Sequence, residues 1–134
     1  MLDDMHILEN QETINNILML MATCHNLAPF QNNNDNSIKI FGDPMEAQMF
    51  EHSDAIFSIV DDVIIQRDKE YKILKKFEFT SEHQRMSIVL KTGVNEEWLK
   101  YFLKGSPELI KKMISSNKIP SNYDQVKIIT IVIN

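Results

Sequence analysis

Glycine, proline and cysteine are all scarce in this chain, at three, four and one in 134 residues. The three glycines, Gly42, Gly93 and Gly105, stand far apart, which excludes a glycine-rich phosphate loop. Cys24 has no second cysteine to pair with, so no internal disulfide forms, and a free thiol suits a reducing compartment. The four histidines, His6, His25, His52 and His83, lack paired ligand spacing, and with one cysteine a structural zinc site is not expected. No apolar run approaches the ~18–20 residues that span a bilayer, and mean hydropathy is −0.24. No basic segment followed by an apolar core opens the chain, so no secretory signal is read. The net charge of −5 argues against a nucleic-acid face, which needs clustered excess Lys and Arg. GxSxG and HExxH are missing too. Cys24 and His25 are adjacent, so on a helix they diverge by about 100° and cannot act as nucleophile and base. The paired acids Asp61-Asp62 and Glu96-Glu97 fall in turn-like, solvated contexts.

What is present fits one globular domain over residues 1–134, with 43% apolar and 25% charged residues and enough length to bury a core without a staple. The expectation is a soluble, cytosol-facing unit. Residues 11–25 predict an amphipathic helix capped by Asn10, with Ile14, Ile17, Leu18, Met21 and His25 on its buried face. The polar run at 31–37, QNNNDNS, reads as an exposed insertion loop without periodicity. Ile38 and Ile40 alternate with polar neighbours as a short strand ending at Gly42. Asp43-Pro44-Met45-Glu46 carries an N-cap, a proline in the first turn and a capping-box acid, and Met45, Met49 and Phe50 supply that helix's buried stripe. From residue 63 the period becomes two. Val63–Gln66, Tyr71–Phe79, Arg85–Lys91 and Trp98–Lys104 predict four strands, and their short polar connections imply an antiparallel meander. Ser106-Pro107-Glu108 opens a helix to about Ser115, and the β-branched run Lys127–Ile133 reads as a last strand. The sum is an α+β domain, an antiparallel β-sheet flanked by helices.

Three stretches, taken in order, carry more. CHNL at 24–27 precedes GDPMEAQMFE at 42–51, FEFTSEHQRMSIV fills 77–89, and KGSPE fills 104–108. Together they resemble the nucleotide-binding (N) domain of P-type ATPases, over roughly residues 14–123. The pair CHNL and GDPMEAQMFE, with RMS after FxFxS, is most similar to the fifth class, and the MFE ending to its B group of polyamine or cation transporters. Phospholipid flippases share FxSxxxRMS.

The resemblance implies a set of nucleotide-binding residues. Phe79 corresponds to the aromatic on which adenine stacks; its bland alternative is a core residue sharing a strand face with Tyr71, Ile73, Lys75 and Phe77. Glu46 matches the acid of GDPxE that meets the adenine edge, alongside its capping role. Lys104 corresponds to the KG lysine at the pocket floor, with Phe102 on the same strand face, and Gly105 removes a Cβ where nucleotide approaches the backbone. Ser81 and Arg85 match the FxS and RMS positions. Arg85 suits bidentate contact with phosphate or ribose, or an ion pair with Glu82 or Glu78; both readings stay open. Some branches carry a lysine where this chain has Gln84, and Lys127 stands where an arginine normally opens the last strand.

DKTGT, TGES and GDGxND are absent. The resemblance therefore implies an excised cytosolic domain of a larger membrane pump, an ATP-driven cation translocase at the cytosolic face of an endolysosomal membrane. It would bind ATP, with Mg²⁺ held by another domain, no catalytic residue and no metal site of its own. Its partners would be the phosphorylation and actuator domains of one full-length chain, and alone it would be a monomer. The alternatives are a non-catalytic interaction module that kept the fold and lost nucleotide binding, and the N domain of a phospholipid flippase.

Overall fold

The structure is a computed structural model that describes residues 4–93, 99–114, 116–118 and 130–133. Helix α1 (Asp4–Thr23) is followed by the strands β1 (Ala28–Gln31) and β2 (Ile38–Phe41), then by helix α2 (Pro44–His52). Strands β3 (Ala55–Ser58), β4 (Val63–Gln66), β5 (Lys69–Phe77), β6 (Arg85–Thr92) and β7 (Leu99–Gly105) come next, before helix α3 (Pro107–Met113), a 3-10 turn at Ser116–Lys118 and β8 (Thr130–Ile133). Six strands form one sheet in sequence order from β3 to β8, every neighbouring pair antiparallel, while β1 and β2 make a separate hairpin. The expected meander is present, in an α+β domain.

One face of the sheet carries Ile64, Tyr71, Met86, Ile88, Leu90 and Phe102, which pack with Met19, Leu20, Ala22 and Cys24 at the end of α1 and Phe50 of α2 into the core. Gln66 ties these layers together: its amide donates to Leu18 O at 3.0 Å and Ser53 O at 2.7 Å, and its carbonyl accepts from the Tyr71 hydroxyl. Two helices start as their caps dictate. Asp43 Oδ1 accepts from the amides of Met45 and Glu46, and the Ser106 hydroxyl accepts from Leu109 N.

Several expectations are corrected. Helix α1 begins at Asp4, ahead of Asn10, and ends at Thr23 before His25. Among the described residues its buried positions are Met19, Leu20, Ala22 and Thr23, whereas Ile14 and Ile17 are exposed. The half-buried Asn16 accepts a hydrogen bond from Lys100 of β7, a polar contact that apolar periodicity does not register. Met45 is exposed and leaves α2's burial to Phe50. Residues 31–37 are exposed except for half-buried Asn32, but they hold the close of a hairpin in which Asn32 N donates to Ser37 O and Asn36 N to Asn32 O. Two short strands, β1 and β3, were not expected. A register shift between Ile73 and Lys75 places Tyr71 and Ile73 on one face, while Lys75 and Phe77 pair across to Val89 and Ser87 on the other. Strand β5 ends at Phe77, so Phe79 lies beyond it. Helix α3 ends at Met113, short of Ser115, and the described part of the last strand starts at Thr130.

Candidate nucleotide site

The exit of β5, the entry of β6 and the exit of β7 share one end of the sheet, because the three strands are antiparallel neighbours. Lys104 sits there beside buried Met86 of β6, on the face that Phe102 shares. Its ammonium donates to Glu46 Oε1 at 2.7 Å and to Cys24 O at 3.1 Å. The other Glu46 oxygen accepts from Asn26 N at 3.2 Å. Glu46 is thus turned toward β7 and the 24–27 segment, and both of its oxygens are engaged away from its own helix end. With side-chain exposures of 29% and 19%, the pair is neither free in water nor sealed. Two carboxylate oxygens keep lone pairs, and an ammonium with two of three hydrogens placed keeps one donor. The pair can accept from one ligand group and donate to another.

The CHNL segment fixes that pair from below. His25 is buried and its Nε2 donates to Ala22 O at 2.8 Å, while Leu27 N donates to Nδ1 at 3.1 Å. Those two bonds define a neutral tautomer and close the end of α1. Burial lowers the His25 pKa to about 4 and raises that of the Cys24 thiol to about 11, so neither acts as base or nucleophile near neutral pH. The ring meets Phe50 and Phe57 edge-on at 5.3 Å and 5.8 Å, a packing role. No chemistry was expected of the segment, but its backbone supplies two of the site's contacts, Asn26 N and Cys24 O.

Phe79 is 56% exposed just past β5, which excludes the core alternative. Ser81 is exposed in the following turn. Arg85 opens β6 opposite Gly105, and its guanidinium lies 3.9 Å from Met113 Sδ of α3. Among the described residues it makes no ion pair with Glu78 or Glu82. Gly105 has a local reason to lack a side chain: a Cβ there would stand 3.0 Å from Gln84 O and 3.2 Å from Arg85 Cβ. Ser106 N donates to the same Gln84 carbonyl at 3.2 Å. The start of β6 therefore packs closely against the Gly105 backbone. Lys127 lies outside the described residues. The structure thus joins Glu46 to Lys104, sets Phe79, Ser81, Arg85 and Gly105 at the same sheet end, and leaves Phe79 open to solvent.

A separate cleft of about 260 Å³, lined by His25, Leu27, Phe57, Ile73 and Lys76 among others, contains none of these residues. Its buried polar groups are already spent, His25 on Ala22 O and Leu27 N and Thr23 on Met19 O.

Comparison with known proteins bears on this geometry. Residues 13–128 match the P-type ATPase cytoplasmic domain N family. "Probable cation-transporting ATPase 1" of Plasmodium falciparum is 25% identical over 175 residues, covering 79% of this chain and 9% of that protein. "Cation-transporting ATPase catp-5" of Caenorhabditis elegans is 26% identical, covering 83% of this chain and 11% of the relative. "Probable cation-transporting ATPase 13A5" of Homo sapiens is 28% identical, with 78% and 10% covered. The chain spans about a tenth of the length of these relatives. A family match over most of the sequence, on a six-stranded antiparallel sheet with helices against it, means that the chain belongs to the P-type ATPase cytoplasmic N-domain family.

Proposed function

We propose that this chain holds ATP by its adenine for a P-type cation-transporting ATPase and presents the γ-phosphate to an aspartate on a separate phosphorylation domain. The observation that carries this reading is the exposed Phe79 at the same sheet end as the half-buried Glu46–Lys104 pair. Adenine stacks on the Phe79 ring, worth ~1–3 kcal/mol for a base on an aromatic. Its amino group donates to Glu46 and a ring nitrogen accepts from the third hydrogen of Lys104. Arg85 and Ser81 lie on the ribose and phosphate side, and Lys127 is assigned there by resemblance alone. The domain's contribution to phosphoryl transfer is proximity: closure onto the phosphorylation domain makes the step effectively intramolecular. Mg²⁺ belongs to that domain, and the actuator domain is a further partner within one chain. The GDPMEAQMFE ending supports a B-group pump of endolysosomal membranes that moves a polyamine or another cation.

The test is an NMR shift titration of the domain with AMP, ADP and ATP. Expected affinities lie at about 0.1 to a few mM, or roughly −4 to −5.5 kcal/mol, within about threefold of one another because the secured contacts are at the base. Phe79→Ala should abolish the shifts and leave the fold intact, since the ring is 56% exposed. Micromolar binding that requires the γ-phosphate would overturn this picture. No binding at all would favour the interaction module that has lost its nucleotide.

A further inference from the structure

Across the β5–β6 ladder Tyr71 pairs with Thr92, Ile73 with Leu90 and, past the register shift, Lys76 with Ile88. Thr92, Leu90 and Ile88 alternate along β6 and all three are buried, so Tyr71, Ile73 and Lys76 share the core face of the sheet. The shift around Leu74 is what turns Lys76 to that side. Strict alternation from Ile73 would put Lys75 there and send Lys76 to the outer face. A lysine is thereby set opposite Ile88, one of the most deeply buried residues of the core.

Lys76 borders the cleft of about 260 Å³ beside His25. The lining is largely apolar: Leu27 and Ile64 are buried, Pro29, Phe57 and Ile73 half-buried, and Ile59 exposed. Phe57 is held by stacking on Phe50 at 4.6 Å and by the edge of His25, so this wall is preformed. The other polar groups of the lining have partners. His25 and Thr23 are bonded to backbone, the Tyr71 hydroxyl donates to Gln66, the Ser58 hydroxyl to Asp61 at 3.0 Å, and Asp62 pairs with Lys72 at 3.3 Å. Lys76 is the exception. It is half-buried, and among the described residues it has neither a hydrogen bond nor an ion pair. Its charge is close enough to lower the pKa values of His25 and Cys24.

We infer that this cleft is a second ligand site, separate from the nucleotide site, and that it takes a small organic monoanion: one apolar body bearing a single carboxylate that pairs with Lys76. None of Glu46, Phe79, Ser81, Arg85, Lys104 or Gly105 lines it. The apolar lining favours an apolar body, and the volume sets its size. At about 260 Å³ the cleft falls short of the ~300–1,000 Å³ of sites for drug-sized ligands, so it holds one ring or a short chain and not a nucleotide. The single unpaired ammonium sets the charge at minus one. A carboxylate offsets it beside walls that exclude water, where the attraction is stronger than in bulk solvent. A phosphate dianion would bring a second charge to a lining that already includes Asp62, with no further free cation to meet it.

The experiment titrates the ¹⁵N-labelled chain with 3-phenylpropionate, with the neutral 3-phenylpropionamide, and with acetate, which has the charge without the apolar body. Phenylpropionate should shift the amides of Leu27, Phe57 and Ile73 and leave those of Phe79 and Ser81 in place. It should bind about five- to tenfold tighter than the amide, the increment of a half-buried ion pair, and acetate should bind far more weakly than either. Lys76→Gln should bring phenylpropionate down to the level of the amide and leave the amide unchanged, while Lys76→Arg should keep most of the preference. Saturating AMP should not displace phenylpropionate. Equal affinity for acid and amide, no effect of Lys76→Gln, shifts centred on Phe79 with displacement by AMP, or no binding of phenylpropionate would each overturn the inference. The proposed function is judged separately: a chain that binds phenylpropionate and not AMP upholds this site and fails that reading, and the reverse result does the opposite.

Discussion

Lys104 and Glu46 are 58 positions apart in the chain and 2.7 Å apart in space. Their contact joins the end of β7 to the first turn of α2, and the 24–27 segment is bonded to both, through Cys24 O and Asn26 N. A lysine at a strand end is ordinarily a solvated side chain. This one is drawn onto the sheet by a carboxylate whose helix is aimed by the Asp43 cap and whose second oxygen is held by a backbone amide. A partly desolvated ion pair gains little on its own; the extra backbone contacts make it a fixed donor–acceptor couple.

Removing the lysine separates its two roles. Lys104→Ala leaves the Glu46 carboxylate and the Cys24 carbonyl without their charged donor, and stability should fall by about 1–2 kcal/mol. Nucleotide affinity should fall at least about tenfold, as expected for a lost charge-assisted contact. Urea unfolding and a titration with AMP on the same samples measure both. A stability loss with full affinity retained would make the pair structural only.

Gln66 offers a test of the core that does not touch the site. It is 6% exposed and bridges Leu18 O, Ser53 O and the Tyr71 hydroxyl, so one side chain links α1, the segment after α2, and β5. Gln66→Ala should cost about 2–3 kcal/mol in urea unfolding, since buried carbonyls lose their donor. Gln66→Glu should cost more at neutral pH, because a carboxylate only accepts and would face two carbonyl oxygens.

The legible parts of this protein were local ones. The caps at Asp43 and Ser106 bind amides two or three positions on, so the sequence within one turn determines them. Strands β4 to β7 announced themselves by alternation over a half-buried sheet. Strands β1 and β3 did not: Ala28–Gln31 and Ala55–Ser58 show no alternation of apolar and polar residues, and their pairing partners decide them more than their own pattern. The shift between Ile73 and Lys75 is likewise a property of the β5–β6 ladder, which is why Lys75 and Phe77 were assigned to the wrong face. In α1 the core is met by Met19, Leu20, Ala22 and Thr23, while Asn16 bonds to Lys100, and neither follows the apparent apolar stripe. At the site, motifs gave Glu46 and Lys104 separately. Their bonds to Cys24 O and Asn26 N involve backbone atoms, which no residue type advertises.

His25 makes stability depend on pH with a definite sign. Its pKa falls from 6.5 in a free chain to about 4 in the fold, because burial disfavours the charged ring and outweighs the Ala22 bond. Above pH 6.5 both states are neutral and the stabilisation is fully present. Between pH 6.5 and 4 the unfolded chain binds a proton that the folded one refuses, so stability falls as pH falls, by about 3 kcal/mol in all. Urea midpoints over that range, compared with His25→Gln, isolate this slope from carboxylate effects. NMR should show the His25 ring neutral down to about pH 4. A ring that titrates near 6.5 in the folded domain would contradict the buried, doubly bonded tautomer.

The domain alone should neither hydrolyse ATP nor become phosphorylated, with or without magnesium. Phosphoryl transfer needs an acceptor in line with the leaving group and a metal to neutralise developing charge. No DKTGT aspartate is present in the sequence. Among the described residues no group of three or more His, Cys, Asp or Glu side chains is placed to hold a metal ion. The carboxylate nearest the proposed adenine, Glu46, is occupied by Lys104 and Asn26 N and so is not free to activate water. His25 and Cys24 are buried and held neutral, which removes the other candidate base and nucleophile. A nucleotide stacked on Phe79 should project its γ-phosphate into solvent, away from every group that could attack it. Incubation with γ-labelled ATP, followed for free phosphate and for acid-stable protein label, measures both outcomes. Turnover that co-purified with the domain and vanished in Phe79→Ala would show that it does more than hold the nucleotide.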